Sequence, residues 1–496
     1  MTEYITYNTD DVIVKTGSID DVRASIDESK AGEENLVTVF VKVWRDSRLK
    51  KAKHCIESLL KYNRDVKFKL ALVNNGGSQN VTDYFESIDY DDKQIIHITK
   101  NISACFSGGI AQRLTRTKYM VELLNDNIVT SHWLANMLMC LEKDPKIGMA
   151  CPLCTNTPSR QEPPFKGKCV EELLKIAETY NKSDLSKWEE RLVLIPQGAV
   201  IRRAVFDAAG IYDKGYLHEA ADDDLALRIR RAGYKLILCK DTFIIHDHDY
   251  NSEKAAPKNL NLGFAGYKEK FKGIDIGIDI QNSIVEWIKD VDFKVKDRCD
   301  VLGIDCRCGT PILDIKNKYH QVGNKNIVCD AFTTNPLYYE DLQSICTNVY
   351  CDSDALRIGR YIKRRFDFIV IDKPLNEYNE PFELIDFAVC HAKSYVLFKI
   401  KNFVDIGMLL KCLGGNNPAR IRGFKYLDKS DIDECLEKYN YADVKVMREN
   451  SVTLQEKVKE TLNKINLDGL YSADRDGLEM NLSTFRYWYL IKIVDA

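Results

Sequence analysis

From Leu36 onward, short apolar runs alternate with stretches whose apolar residues recur at helical spacing. LVTVFVKVW is a continuous apolar run suited to a buried parallel strand, and RLKKAKHCIESLLKY after it repeats at the period of a helix. FKLALVNNGG then predicts a second strand ending in a glycine turn, VTDYFESI a helix and QIIHIT a third strand. KYMVELLNDN reads as another buried strand with a polar end, and HWLANMLMCLEKD as the helix that follows. Such alternation implies an α/β doubly wound sheet, whose ligands gather at the carboxyl ends of the strands. The LLNDN strand end is therefore the first place to look for chemistry.

Further along, TNTPSRQEPPFKG is proline-rich and polar and reads as loop, and CVEELLKIAETYNK as an inserted helix. ADDDLALRIRRAGYKLILCKDTFIIHDHD gives a helix opened by acids, a glycine stop, and a strand running into His246 and His248, which points to a sheet of mixed character. The glycine-rich LGFAGYKEKFKGIDIGIDI marks a boundary, after which VKDRCDVLGIDCRCGTPILDIKNKY restarts a strand, turn and helix. The expected division is an N-terminal extension over 1–34 that packs on or trails from the first domain, an α/β domain over 35–270, a linker over 271–290, a second α/β domain over 291–450, and a tail over 451–496. The tail's aromatic run is expected as a docked helix or strand.

At 496 residues the chain exceeds what one core serves, so more than one domain is the default. A composition of 45% hydrophobic and 29% charged residues with a net charge of -3 gives no electrostatic reason to expect nucleic acid as a partner. No stretch approaches the roughly 20 apolar residues of a membrane span, and MTEYITYNTDDVIV is acidic where a signal peptide would be basic. These features predict a cytoplasmic protein. The 16 cysteines lie mostly inside apolar runs, as reduced core thiols do, and the single CxxC of Cys151 and Cys154 has no second pair to complete a zinc site.

Acids at two separate element ends, Asp126 and the run Asp222 to Asp224, with His246 and His248 as imidazole donors, suit a divalent cation and a proton acceptor in one site. It is at these residues that the chain resembles the family 2 glycosyltransferases of GT-A fold. VTVFVKVWRD resembles that family's first strand, LALVNNGGSQNVTDYF its second, and NISACFSGGIAQRLTRTKYMVELLNDN the glycine-rich helix leading into the metal-binding strand. QGAVIRRAVFDAAGIYD resembles the acceptor-side segment, and the ADDD helix with its following strand the remaining pair of motifs.

The resemblance implies an inverting enzyme that moves a hexosyl or N-acetylhexosaminyl group from a UDP-linked donor to a hydroxyl acceptor on a protein, flagellin for example, or on a surface glycan. It implies Asp222 as general base with Asp224 orienting it. Val43, Trp44, Asn74, Asn75, Gly108, Asn125, Asp126, Asn127, Arg203 and Arg228 fall on the donor side, the two arginines as phosphate or structural partners. Asp126, Asn127, His246 and His248 fall on a Mn2+ or Mg2+ ion. Three positions depart from the family pattern: Asn74 and Asn127 stand where aspartates are usual, and Ala221 where a glutamate is. Without a resemblance, Asp222 to Asp224 would suit a helix N-terminus, Trp44 a core position, and Arg228, Arg230 and Arg231 a solvated face.

VLGIDCRCGTPILDIK, NIVCDAF and FDFIVIDKPLNEY resemble the S-adenosylmethionine-dependent methyltransferases of Rossmann-like fold. Asp305 and Arg307 occupy glycine positions of that family's turn, leaving Gly309, while Asp330 stands as the ribose-binding acid. The reading is a methyltransferase-like domain used for acceptor recognition or assembly. Two others are a bifunctional transferase and methyltransferase, and a sugar-nucleotide-binding module without turnover.

Overall fold

The computed structural model describes residues 3–7, 36–213, 216, 220–247, 257–407, 427–450, 456, 460 and 480–494. It divides into two compact units, Met1–Gln281 and Asn282–Ala496, each with its own sheet. Among the described residues no helix is long and apolar enough to cross a membrane.

Among the described residues the first unit is an α/β structure on ten strands: β1 (Glu3–Tyr7), β2 (Val37–Val43), β3 (Lys69–Asn75), β4 (Lys93–Ile98), β5 (Tyr119–Leu124), β6 (Asn127–Ile128), β7 (Ile147–Cys154), β8 (Trp188–Arg191), β9 (Val200–Arg202) and β10 (Lys235–His246). The order is β1-β4-β3-β2-β5-β9-β7-β10-β6, with β8 on β10. Strands β1 to β5 pair in parallel, and β9 lies antiparallel between β5 and β7, which gives the mixed sheet that the sequence suggested. The order reverses between β2 and β5, so the crevice for a ligand lies beyond Val43 and Leu124.

Helices cover both faces because the central strands β2, β3 and β5 send apolar side chains into a core on each side. Leu49–Tyr62 buries Ala52, Cys55, Ile56 and Leu59 against one core. Ala221–Arg231 buries Leu225, Ala226 and Ile229 in the other. Strand β1 comes from the expected extension and adds a parallel edge, Glu3 opposite Gln94 and Tyr7 opposite Ile98. Residues 8–35 lie outside the described residues.

Among the described residues the second unit carries seven strands: β11 (Cys299–Ile304), β12 (Ile327–Thr333), β13 (Asn348–Cys351), β14 (Phe366–Ile371), β15 (Ala392–Lys401), β16 (Tyr441–Asn450) and β17 (Thr484–Ile493). Their order is β13-β12-β11-β14-β15-β17-β16, the first five parallel and β17 antiparallel to both neighbours. The aromatic run read as a docked helix or strand is thus a strand inside the sheet. Its alternate residues fill two cores, Tyr487, Tyr489 and Ile491 one and Trp488 and Leu490 the other. Ile284 and Ile288, in the stretch read as linker, are buried in the second of those cores.

One close packing in the first unit supports the region where β7 and β10 end. Trp133 is fully buried and its Nε1 donates to the Gly198 carbonyl at 2.9 Å. Gly198 has φ +62, and a Cβ there would stand 2.6 Å from Ile244 Cδ1, so the chain needs glycine at this point. Trp133→Ala is expected to destabilise the first unit by about 3–5 kcal/mol. Urea unfolding followed by circular dichroism reads the shift, and an unchanged midpoint would show that the indole does not support this turn.

Candidate active site

The polar end of β5 is held by a short strand and one helix face. β6 pairs antiparallel with the last residues of β10, placing Asn127 opposite His246 and Ile128 opposite Ile245. The Asp247 N–H donates to the Asp126 carbonyl at 2.8 Å and prolongs this pairing. Asp126 and His246, 120 positions apart in sequence, therefore face each other with Oδ1 and Nε2 3.6 Å apart. From the other side comes the helix Leu49–Tyr62, whose positions 51, 55 and 58 share one face with Arg48 just before its first turn. Arg48 Nη1 is 3.6 Å from Asp126 Oδ2, Lys51 Nζ donates to the Asp247 carbonyl, Cys55 Sγ meets the Leu124 carbonyl at 3.6 Å, and Ser58 Oγ accepts from Val129 N at 3.0 Å. Burial works to raise the Asp126 pKa, but His246 facing it and the charges of Lys51 and Arg48 outweigh it and hold the carboxyl below its usual range. The same burial, with Asp126 nearby, pushes the Cys55 thiol up, so it is no nucleophile.

The remaining strand-end residues divide by what their side chains already hold. Val43 is fully buried in the core, so only its backbone reaches the crevice. Trp44 is half-buried, with the Arg45 guanidinium 4.0 Å and the Arg48 guanidinium 5.4 Å from its ring centroid. Asn74 accepts from Gly77 N at 2.7 Å and donates to the Ser78 carbonyl and Thr82 Oγ1, which builds the glycine turn after β3. Asn75 accepts from Ile102 N at 3.1 Å and donates to Asn101 Oδ1, tying that turn to the next loop. Asn125 donates to the Lys42 carbonyl at 3.2 Å. Asn127 is fully buried, accepts from Leu124 N at 3.1 Å and donates to Gln197 Oε1 at 2.8 Å; its amide shapes the turn that presents Asp126. His248 lies outside the described residues.

On the second face of the sheet, Gly108 lets the helix Ser103–Leu114 sit close over β5: a Cβ there would be 2.8 Å from Glu122 Oε1 and 3.0 Å from the Tyr212 ring. Glu122 pairs with Lys42 of β2. Tyr212, fixed by its N–H on Gln112 Oε1 at 3.0 Å, donates from its hydroxyl to Asp222 Oδ1 at 3.2 Å. Asp222 is half-buried. Asp224 is different: fully buried, it takes Arg228 Nε at 2.8 Å and Nη2 at 2.6 Å, and Lys270 on its other oxygen. Arg228 also donates to the Ala209 and Ile211 carbonyls. Arg203 stands 3.9 Å from Asp207 one helical turn on. Asp224, Arg228 and Arg203 clamp the segment from Asp207 to Ile211.

Beside His246 opens a cleft of about 700 Å³, walled by Thr155 and Asn156 after β7, the proline-rich Glu162–Gly167, the start of the helix Val170–Tyr180, and Ile245 to Asp247. Sequence reading placed this loop nowhere near the site; the one signal available was its two prolines beside Phe165.

In the second unit the sheet order reverses between β11 and β14. Asp305, just past β11 at φ +48, accepts at that crevice from Thr334 N, from Thr334 Oγ1 at 2.9 Å and from Tyr378 OH at 2.8 Å. Asp330, read as a ribose-binding acid after the second strand, lies instead in the middle of β12. It is paired with Leu302 and Asn348 in the ladders, buried, and bonded to Arg364 at 2.7 Å. The apolar alternation carries β12 on to Thr333, so the strand end falls past this acid.

No known protein-family description matches the chain, and no curated protein matches it. Among solved structures it is similar to GalNAc-T7 with UDP, GalNAc and Mn2+ (14% identity, TM-score 0.37, covering 46% of this chain and 47% of that one). It is also similar to the mannosyltransferase of Pyrobaculum calidifontis in complex with GDP-Man and Mn2+ (14% identity, TM-score 0.34, 57% and 76%) and to residues 1–349 of S. aureus TarS (10% identity, TM-score 0.32, 48% and 72%). The match spans about half the length of the GalNAc-T7 chain. Likenesses this slight leave the chemistry to be read from the site itself.

The structure brings Asp126 and His246 into direct apposition, sets Trp44 and Arg48 beside them, and turns Asp224, Arg228 and Arg203 to structural use. Asp224→Ala would leave Arg228 and Lys270 without their shared carboxylate. The expected cost is about 3–5 kcal/mol, read as a lower denaturation midpoint. A variant that kept its midpoint but lost turnover would instead put Asp224 among the reacting groups.

Proposed function

We propose that the first unit is an inverting glycosyltransferase that moves a hexosyl or N-acetylhexosaminyl group from a UDP-linked donor to a hydroxyl of a protein, such as flagellin, or of a surface glycan. The observation that carries this reading is the apposition of Asp126 and His246 at the carboxyl end of β5, where the sheet order reverses, with an aromatic platform at Trp44 close by. A carboxylate and an imidazole nitrogen facing each other fit a divalent cation, Mn2+ or Mg2+, as two of its donors. When bound, such an ion would neutralise charge on the leaving diphosphate. In this reading the amide of Asn127 holds the turn, and His248 is a further candidate donor.

The chain's own groups account for the rest. Trp44 stacks on the nucleotide base while the backbone at Val43 and the Asn74 and Asn75 turns frame it. Asp222, aimed by the Tyr212 hydroxyl, takes the proton from the acceptor hydroxyl. The acceptor oxygen then bonds to the anomeric carbon as the bond to the diphosphate oxygen breaks, its electron pair leaving with the diphosphate. The second unit serves recognition or assembly: a protein carboxylate with its own donors fills the crevice where a methyltransferase-like fold would hold its cofactor.

Purified full-length protein is expected to release sugar from UDP-linked donors in the presence of Mn2+, and Asp222→Asn and Asp126→Ala to slow that release by about 100-fold or more. Coupled detection of UDP gives the rates. If both variants kept the wild-type rate, the assignment would be wrong.

A further inference from the structure

We infer that Arg48 and Lys51 are the cations that hold the donor's diphosphate, in place of the arginines singled out by the sequence motifs. The inference rests on the glycosyltransferase reading and adds binding residues that the motif comparison did not supply. Its first ground is position. Arg48 lies between the Trp44 ring, 5.4 Å from its guanidinium, and the Asp126 carboxylate at 3.6 Å. A nucleotide stacked on Trp44 with its diphosphate at Asp126 would pass its phosphates across this guanidinium, whose planar fork suits two phosphate oxygens at once. Lys51, one turn along the same helix face, stands at the Asp126 and Asp247 end of the pairing.

The second ground is what each cation already contacts. Arg228 is committed to Asp224 through two nitrogens and to two carbonyls. Lys51 is bonded to a neutral backbone carbonyl, which a charged phosphate oxygen replaces with a stronger bond.

The third ground is charge. Arg48, Lys51 and His246 stand around the carboxylate of Asp126. Neutralisation of the diphosphate is therefore shared between the chain's cations and any ion bound at Asp126 and His246. Part of the affinity for diphosphate survives chelation.

Isothermal titration of the full chain with UDP, pyrophosphate and uridine, in Mn2+ and again in EDTA, tests this. Arg48→Gln and Lys51→Gln are each expected to weaken UDP and pyrophosphate by roughly tenfold while uridine binding is unchanged, and the wild type retains pyrophosphate binding in EDTA. Arg48→Lys, which keeps the charge without the fork, falls between wild type and Arg48→Gln, and thermal melting confirms that the variants fold. Variants that bind pyrophosphate like the wild type would overturn the inference while leaving the transferase reading standing. A wild type that binds neither UDP nor pyrophosphate and releases no donor would overturn both.

Discussion

Two residues of β6 laid antiparallel on the end of β10 make the site possible. Without that pairing, Asp126 would sit on an unconstrained turn after β5 and His246 at the end of a strand on the far side of β7 and β9. The pairing is short, so it needs support, and the surrounding polar groups supply it. Ser58 binds Val129, Asn63 takes the Leu134 N–H at 3.0 Å, and Asn181 donates to Thr130 Oγ1 and the Ser131 carbonyl at 2.8 Å each while accepting from Phe243 N. Each of these buried amides saturates backbone groups that a turn leaves open, which is why a polar turn can lie under a helix without loss of stability.

Three consecutive acids show how helical geometry sorts identical side chains into different uses. Successive residues on a helix point about 100° apart, so Asp222, Asp223 and Asp224 cannot share one environment. Asp224 falls on the inward stripe with Leu225 and Ile229, and a buried carboxylate there requires the Arg228 fork four residues on and the Lys270 ammonium. Asp222 turns toward Tyr212 and stays half-buried, the condition under which a carboxylate can both be aimed and exchange a proton.

The strands and helices around the site were legible because period speaks for itself: Val37–Val43, Lys69–Asn75 and Tyr119–Leu124 are apolar runs, and Leu49–Tyr62 repeats at helical spacing. The two-residue β6 has no period to read. Arg48 and Lys51 were invisible for another reason: a cation on an amphipathic helix looks solvated until the strand end it faces is known. Asn74 and Asn127 carry ligand-like chemistry in the motif, yet both spend it on turns, since an amide can accept from one backbone N–H and donate elsewhere at once. β17 was set apart because its partners β15 and β16 are fixed by long-range pairing that no local pattern encodes.

The two units place a carboxylate at comparable points, beyond the strand ends where the sheet order reverses, and satisfy it by opposite means. Asp305 receives an amide and two hydroxyls at hydrogen-bond distance, neutral donors that complete its coordination and leave a ligand nothing to replace except at the cost of the turn itself. Burial and the Asp305 charge push the Tyr378 phenol far up, so that hydroxyl remains a donor across the accessible pH range. Asp126 instead faces an imidazole and a guanidinium, each 3.6 Å away, groups that an anion or a metal ion can draw toward itself without leaving the carboxylate stranded. A closed crevice and a receptive one differ here by whether the groups around an acid are hydroxyls and an amide in contact, or an imidazole and a guanidinium slightly apart.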